Sequence, residues 1–211
     1  MNQVLILLVS TRFNRMFKRS PLIGGLLFFG LNWYDIGTMK LSWSHKLFFQ
    51  ANRLLGKSSV LDGMIKFWAE YAIFWLGSAV FISFWFTALS SADFLKMSSY
   101  TGLAILAGLV VSFTIAWIWP HHRPKVEFPE ITELITPLSH WKSLPSDHSL
   151  VAWLLMLAYL WFTNFGLGIN LVIIGSAQII CFSRVLAGVH YPRDIVAGAS
   201  LAGIIALIFF R

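Results

Sequence analysis

Three long stretches of this chain carry no charged side chain: Tyr71 to Ala92, Met97 to Pro120 and Ser149 to Ser183. About 20 apolar residues in a helix cross the hydrocarbon core of a bilayer, so stretches of this length are read as spans, and the last as two. The composition agrees: 57% of the 211 residues are apolar and 12% charged, with nineteen Phe and ten Trp. Such a balance suits a chain solvated by lipid. Lipid offers the backbone no hydrogen-bond partner, which leaves helices or closed barrels. The strict apolar/polar alternation of a barrel is absent. The expected fold is therefore all-α, a polytopic membrane helix bundle.

Five spans are expected, at roughly residues 67–89, 99–119, 149–164, 170–187 and 192–210. The turn-forming run from Asn164 to Asn170 divides the long uncharged stretch into a tight hairpin of two helices. Between Lys46 and Lys57, Leu47, Ala51 and Leu54 recur at helical spacing beside polar Gln50 and Arg53. That pattern fits a helix lying in the membrane interface and, equally, a soluble loop helix.

Residues 1–45 read as an N-terminal extension and 46–211 as the main domain. Within the extension, Arg12, Arg15, Lys18 and Arg19 form a basic knot, and Pro21 to Tyr34 is apolar. Two alternatives stand open there: a sixth span, or a true start at Met39. A secretory signal peptide fits poorly, because the charges follow the first apolar stretch.

The net charge of +7 is spread over the segments between spans. Anionic headgroups, and not nucleic acid, are the partner this distribution suits. Cys181 is the only cysteine, which excludes an intramolecular disulfide and a cysteine-based metal cage.

Against this apolar background two polar clusters stand out, Pro145-Ser146-Asp147-His148 and Ser183-Arg184 with His190 and Asp194. Ionisable groups at the ends of membrane helices are costly and mark function. Arg123-Pro124 lies in the same intervening segment as His148, and two crossings separate His148 from Arg184. All three clusters thus belong to one membrane face. Two arginines, two histidines and one Asp suit an oxyanion held by charge-assisted hydrogen bonds, with phosphate the obvious candidate. Asp194, four residues after His190, is placed to orient the imidazole.

The run Pro145-Ser146-Asp147-His148 and the spacing Ser183-Arg184, His190, Asp194 resemble the second and third signatures of the type 2 phosphatidic acid phosphatase superfamily, which includes vanadium haloperoxidases. The resemblance extends over about residues 45–211. It implies that His190 is the nucleophile, forming a phosphohistidine, and that Asp194 holds and polarises it. It implies that His148 protonates the leaving group, while Arg123, Arg184, Ser146 and nearby backbone amides cradle phosphate, with no metal or cofactor. Asp147, where the usual signature has Gly, resembles the branch acting on undecaprenyl diphosphate. A carboxylate repels phosphate, so any contact from Asp147 is expected through its backbone N–H. The run Ser59 to Gly63, with Glu70-Tyr71-Ala72, is similar to that branch as well.

One position departs from the pattern. The family has a Lys seven residues before the Arg-Pro pair, and here that position is Ala116. His121, His122 and Lys125 are the nearby groups expected to compensate. The resulting expectation is a membrane phosphatase removing the terminal phosphate of undecaprenyl diphosphate. Alternatives are a phosphatase for phosphatidic acid, phosphatidylglycerophosphate or lipid A, and a non-catalytic lipid-phosphate binder. The resemblance implies a bacterial inner-membrane location with the site facing outward, although Lys40, Lys46, Arg53, Lys57 and Lys66 would then oppose the positive-inside tendency. His45, His121, His122 and His140 are read as interfacial residues. Glu127, Glu130 and Glu133 are read as one solvated helix face, and Gly188 as a site of close packing.

Overall fold

The computed structural model describes residues 41–211, which form one unit. The basic knot, the sixth span and the start at Met39 lie outside the described residues. Those described are helical, without a named strand: α1 (Trp43–Asn52), α2 (Ser59–Glu70), α3 (Ala72–Thr87), α4 (Ser91–Ile118), α5 (Pro124–Glu127), α6 (Asp147–Phe162), α7 (Leu167–Leu186) and α8 (Pro192–Phe209).

Among these, α4, α7 and α8 are each long and apolar enough to cross a membrane, and α2 and α3, bent by 50° at their junction, are long and apolar enough only when taken together. The remaining expected span is α6, whose 16 residues extend for about 24 Å. It lies at the centre, packed against α3, α4, α7 and α8. Leu150, Leu154 and Tyr159 on it are fully enclosed.

Small residues allow this packing. The buried face of α4 is Thr101, Ala104, Gly108, Ser112 and Ala116, a stripe at three- to four-residue spacing. In lipid, helices associate by close van der Waals contact, which small side chains permit. A Cβ at Gly108 would meet the Leu150 side chain at 3.2 Å. Ala116 belongs to this stripe and is fully buried.

The sequence predicts an unbroken span from residue 67, whereas the helix breaks at Tyr71, which caps both α2 and α3. At the break Arg184 Nη1 donates to the Ala69 carbonyl at 2.6 Å. A side chain inserted into the helical ladder is an established cause of a kink. The second span begins earlier than expected, because Ser90 caps α4 by accepting from the Asp93 N–H at 3.2 Å. Helix α1 buries Ser44, His45 and Phe48 while Leu47 projects outward, and it ends at Asn52, so Leu54 lies exposed in the turn beyond it and not on the expected helix.

Candidate active site

Three connections meet at one end of the bundle. The backbone N–H of Ser143 donates to the His121 carbonyl at 2.9 Å, joining the segment after α4 to the one before α6. The Ser146 N–H donates to the Asp194 carbonyl at 3.1 Å, and the Leu134 N–H to the Ala187 carbonyl at 3.0 Å. Two glycines make these approaches feasible. Gly188 has φ of 83°, and a Cβ there would run into the Thr132 carbonyl oxygen. Its left-handed backbone adds a conformational reason to the close packing expected for it. At Gly198 a Cβ would lie 2.5 Å from the Ser146 carbonyl oxygen, so glycine lets α8 press on the turn before α6.

The arrangement brings His190 against both Arg123 and Asp194. Arg123 Nη1 lies 3.1 Å from His190 Nε2. Arginine can only donate, so Nε2 is the acceptor and the ring proton belongs on Nδ1. Nδ1 faces Asp194 Oδ2 at 3.6 Å. That carboxylate oxygen also accepts from the Ser143 hydroxyl at 2.6 Å and the Tyr191 N–H at 2.9 Å. His190 and Asp194 are both buried. Burial lowers the His190 pKa to about 4, with Arg123 and Arg184 adding to the fall and Asp194 opposing it. The imidazole is therefore neutral near pH 7, with a lone pair on Nε2.

Arg123 is fixed by its backbone partners: Nε donates to Ser139 O at 2.7 Å and Nη1 to Val189 O at 2.9 Å. Burial pulls its pKa below the ordinary value, against the opposing pull of Asp194, Asp147 and Glu133. Arg184 is buried as well, and its Nε has no protein partner. Ser146 caps α6, its hydroxyl accepting from the Ser149 N–H at 3.5 Å. His148, partly exposed at the start of α6, lies within electrostatic reach of Arg184, His190 and Arg123.

Asp147 is the group whose surroundings sequence reasoning missed. Its carboxylate Oδ1 meets Lys142 Nζ at 2.6 Å and the Ser112 hydroxyl at 2.7 Å. Lys142 is the last lysine in the chain and lies five residues before Asp147, a signal that a missing cation at Ala116 should have directed attention to. The groups expected to compensate have other surroundings: Lys125 Nζ is taken by the Pro129 and Ile131 carbonyls, both at 2.7 Å, His121 Nδ1 lies 3.0 Å from the Trp119 carbonyl oxygen, and His122 is exposed.

Two further expectations are corrected. His45 is buried, with its ring 4.8 Å from that of Tyr191. Glu127, Glu130 and Glu133 share no solvated helix face, because α5 ends at Glu127. Glu127 instead accepts from the Tyr191 hydroxyl at 2.5 Å and sits 3.6 Å from His45 Nε2.

Residues 98–211, more than half of the chain, match the PAP2 superfamily. The chain belongs to that superfamily. It is 32% identical over 168 residues to the undecaprenyl-diphosphatase BcrC of Bacillus subtilis, covering 80% of this chain and 83% of that protein. It is 36% identical over 106 residues to the putative undecaprenyl-diphosphatase YbjG of Escherichia coli, covering 50% of this chain and 51% of that one. Its fold is that of Aquifex aeolicus LpxE, with a TM-score of 0.61 at 22% identity over 80% of this chain and 95% of that one. A PAP2-type phosphatidylglycerolphosphate phosphatase from Bacillus subtilis aligns with a TM-score of 0.55 at 19% identity, covering 89% and 93%. The protein is thus an integral membrane phosphatase of the PAP2 type, a hydrolase of phosphate esters.

Proposed function

We propose that this PAP2 phosphatase removes the terminal phosphate of undecaprenyl diphosphate through a phosphohistidine on His190. The observation that carries the reading is the pairing of His190, with Arg123 Nη1 at 3.1 Å from Nε2 and Asp194 at 3.6 Å from Nδ1. A cation at the attacking nitrogen draws a phosphoryl oxygen to it, and a carboxylate behind the ring stabilises the charge that develops on attack. The choice of lipid is supported by the 32% identical relative named as an undecaprenyl-diphosphatase.

Arg123 Nη1 transfers its hydrogen bond from Nε2 to a phosphoryl oxygen, and the freed His190 Nε2 lone pair attacks the terminal phosphorus, forming a P–N bond as the bond to the bridging oxygen breaks. The negative charge of the bound diphosphate favours a proton on His148 against the opposing Arg184, His190 and Arg123, and that proton passes to the departing oxygen, releasing undecaprenyl phosphate. Water then attacks the phosphohistidine, passing a proton to His148, and the P–N bond breaks to free inorganic phosphate and His190. Arg123 and Arg184 offset charge on the transferring group, with the Ser146 hydroxyl and the Asp147 N–H beside them.

The test is phosphate release by purified protein in detergent with chelator present, from undecaprenyl diphosphate and from phosphatidic acid in parallel. Faster release from the diphosphate is expected, and a rate on phosphatidic acid as high or higher overturns the substrate choice. His190→Ala should lower turnover by about 10⁴-fold or more, and retained turnover overturns the mechanism.

The site is proposed to face outward from the bacterial inner membrane. Leu138 is fully exposed in the segment between α5 and α6, at the site's end of the bundle, and Cys181 is buried. In intact cells a membrane-impermeant maleimide should therefore label Leu138→Cys and spare the unaltered protein. Labelling only after the membrane is opened reverses the orientation.

A further inference from the structure

Asp147 poses a physical problem that the function alone does not resolve. A carboxylate stands at the start of α6, between Ser146 and His148, where the proposed substrate brings at least two negative charges. Its side chain is 37% exposed, so it is not hidden from the site by burial. An uncompensated charge there would repel the diphosphate and raise the barrier.

The opposing charge is Lys142. Its side chain is 3% exposed, and its Nζ is fixed by three oxygens, Asp147 Oδ1 at 2.6 Å, Ser112 Oγ at 3.2 Å and Pro145 O at 3.2 Å. The ammonium also lies 5.6 Å from the Phe113 ring centroid, a cation–π distance. Two fixed elements meet at this point. Ser112 is one helical turn from Ala116 on the buried face of α4. Lys142 itself is held by the backbone pairing of its segment with His121. The ammonium therefore reaches, from a loop, the same face of α4 on which the family's lysine stands one turn farther along.

We infer that Lys142 is a positioning residue that pins the Asp147 carboxylate against Ser112 and offsets its charge, leaving the Asp147 N–H and the arginines to face phosphate. This rests on the reading of the cluster as a phosphate site. It assigns a role to the departures at 116 and 147 together. The small Ala116 leaves the α4 stripe closely packed, and the cation arrives from Lys142 paired with the carboxylate that replaces glycine. Lys142 acts through Asp147 and is not assigned contact with the substrate.

The experiment compares Lys142→Met, Lys142→Arg and the double variant Lys142→Met/Asp147→Asn with the unaltered enzyme on undecaprenyl diphosphate in detergent. Lys142→Met leaves a negative charge unopposed, and its kcat/KM should fall about tenfold or more, with weaker inhibition by orthovanadate. The neutral pair of the double variant should recover to at least about tenfold above Lys142→Met, and Lys142→Arg should exceed Lys142→Met. A wild-type rate in Lys142→Met overturns the inference. So does a double variant as slow as Lys142→Met, because a residue acting through Asp147 has nothing to offset once that charge is gone.

If Lys142→Met does not fold, a folded and active double variant supports the inference, and loss of folding in both overturns it. Failure of the function reading shows separately, as absence of phosphate release by the unaltered enzyme. Lys142 is then judged by the rise in melting temperature on adding orthovanadate, expected to be lost in Lys142→Met and regained in the double variant. Any other pattern overturns the inference.

Discussion

The corner around His190 and the turn around Asp147 each hold a carboxylate, and they treat it differently. Asp194 is fully buried, and its Oδ2 collects neutral donors at hydrogen-bond distance, the Ser143 hydroxyl and the Tyr191 N–H, with the imidazole beyond them at 3.6 Å. The nearest cation, Arg193, stands 3.6 Å from the other oxygen. Asp147 is partly exposed and takes an ammonium at 2.6 Å. Neutral donors fix the position of a carboxylate while leaving its charge to act on a neighbour, whereas a close cation cancels that charge where it stands. The first arrangement serves a group that must polarise an imidazole, and the second a group that must not repel a substrate. Residues 142 and 143, adjacent in the chain, supply one partner to each.

The sharpest way to break this contrast is to remove the charge that is meant to act. Asp194→Asn keeps the shape but withdraws the negative charge from behind Nδ1 and can present an N–H to the ring in its place. Turnover should fall by about 10³- to 10⁴-fold, as when the orienting carboxylate of a histidine base is made neutral. Steady-state phosphate release measures it, with the melting temperature in detergent as a check on folding. A fall of only a few-fold would mean that Asp194 contributes chiefly its place in the fold.

A smaller effect follows from the neutral state of His190. Its folded pKa is depressed to about 4, below the ordinary 6.5, so on acidification the unfolded chain takes up the proton first. The stability associated with the neutral ring is therefore complete above pH 6.5 and is lost as pH falls from 6.5 towards about 4. The loss over that window should be on the order of a few kcal/mol. It is measured as the fall in melting temperature between pH 7 and pH 4.5. His190→Ala should flatten the pH dependence relative to the unaltered protein, and an identical fall in both would assign it to other groups.

The same contrast explains what the sequence made legible. Uncharged length predicts the helices, since nothing else satisfies a backbone in lipid, and the His190 and Asp194 spacing is local enough to place both at the start of one helix. Lys142 and Ser143 lie in an irregular segment without periodicity, and their partners, Ser112 and Asp194, are distant in sequence. The break at Tyr71 is equally illegible locally, because Arg184 inserts there from more than a hundred residues away. The surroundings of His45 and Glu127 are illegible for a related reason. Each looks interfacial or solvated on its own element, and the neighbour they share, Tyr191, comes from the start of α8.

Tyr191 offers the finest test of the comparison, because it touches the His190 corner in two separable ways. Its backbone N–H donates to Asp194 Oδ2 at 2.9 Å, while its hydroxyl donates to Glu127 Oε2 at 2.5 Å, away from the reacting groups. Tyr191→Phe removes only the second bond. The ring keeps its edge-on contacts with His45 and Phe48, at 4.8 Å and 5.1 Å between centroids. The Glu127 side chain is 21% exposed, so water can replace the lost donor. The cost should be about 1 kcal/mol of stability, with turnover lowered less than about fivefold. Phosphate release and the melting temperature in detergent read the two effects. A drop approaching that of Asp194→Asn would show that the outer network through Glu127 and His45 sets the carboxylate, and that the neutral donors around Asp194 do not suffice to hold it.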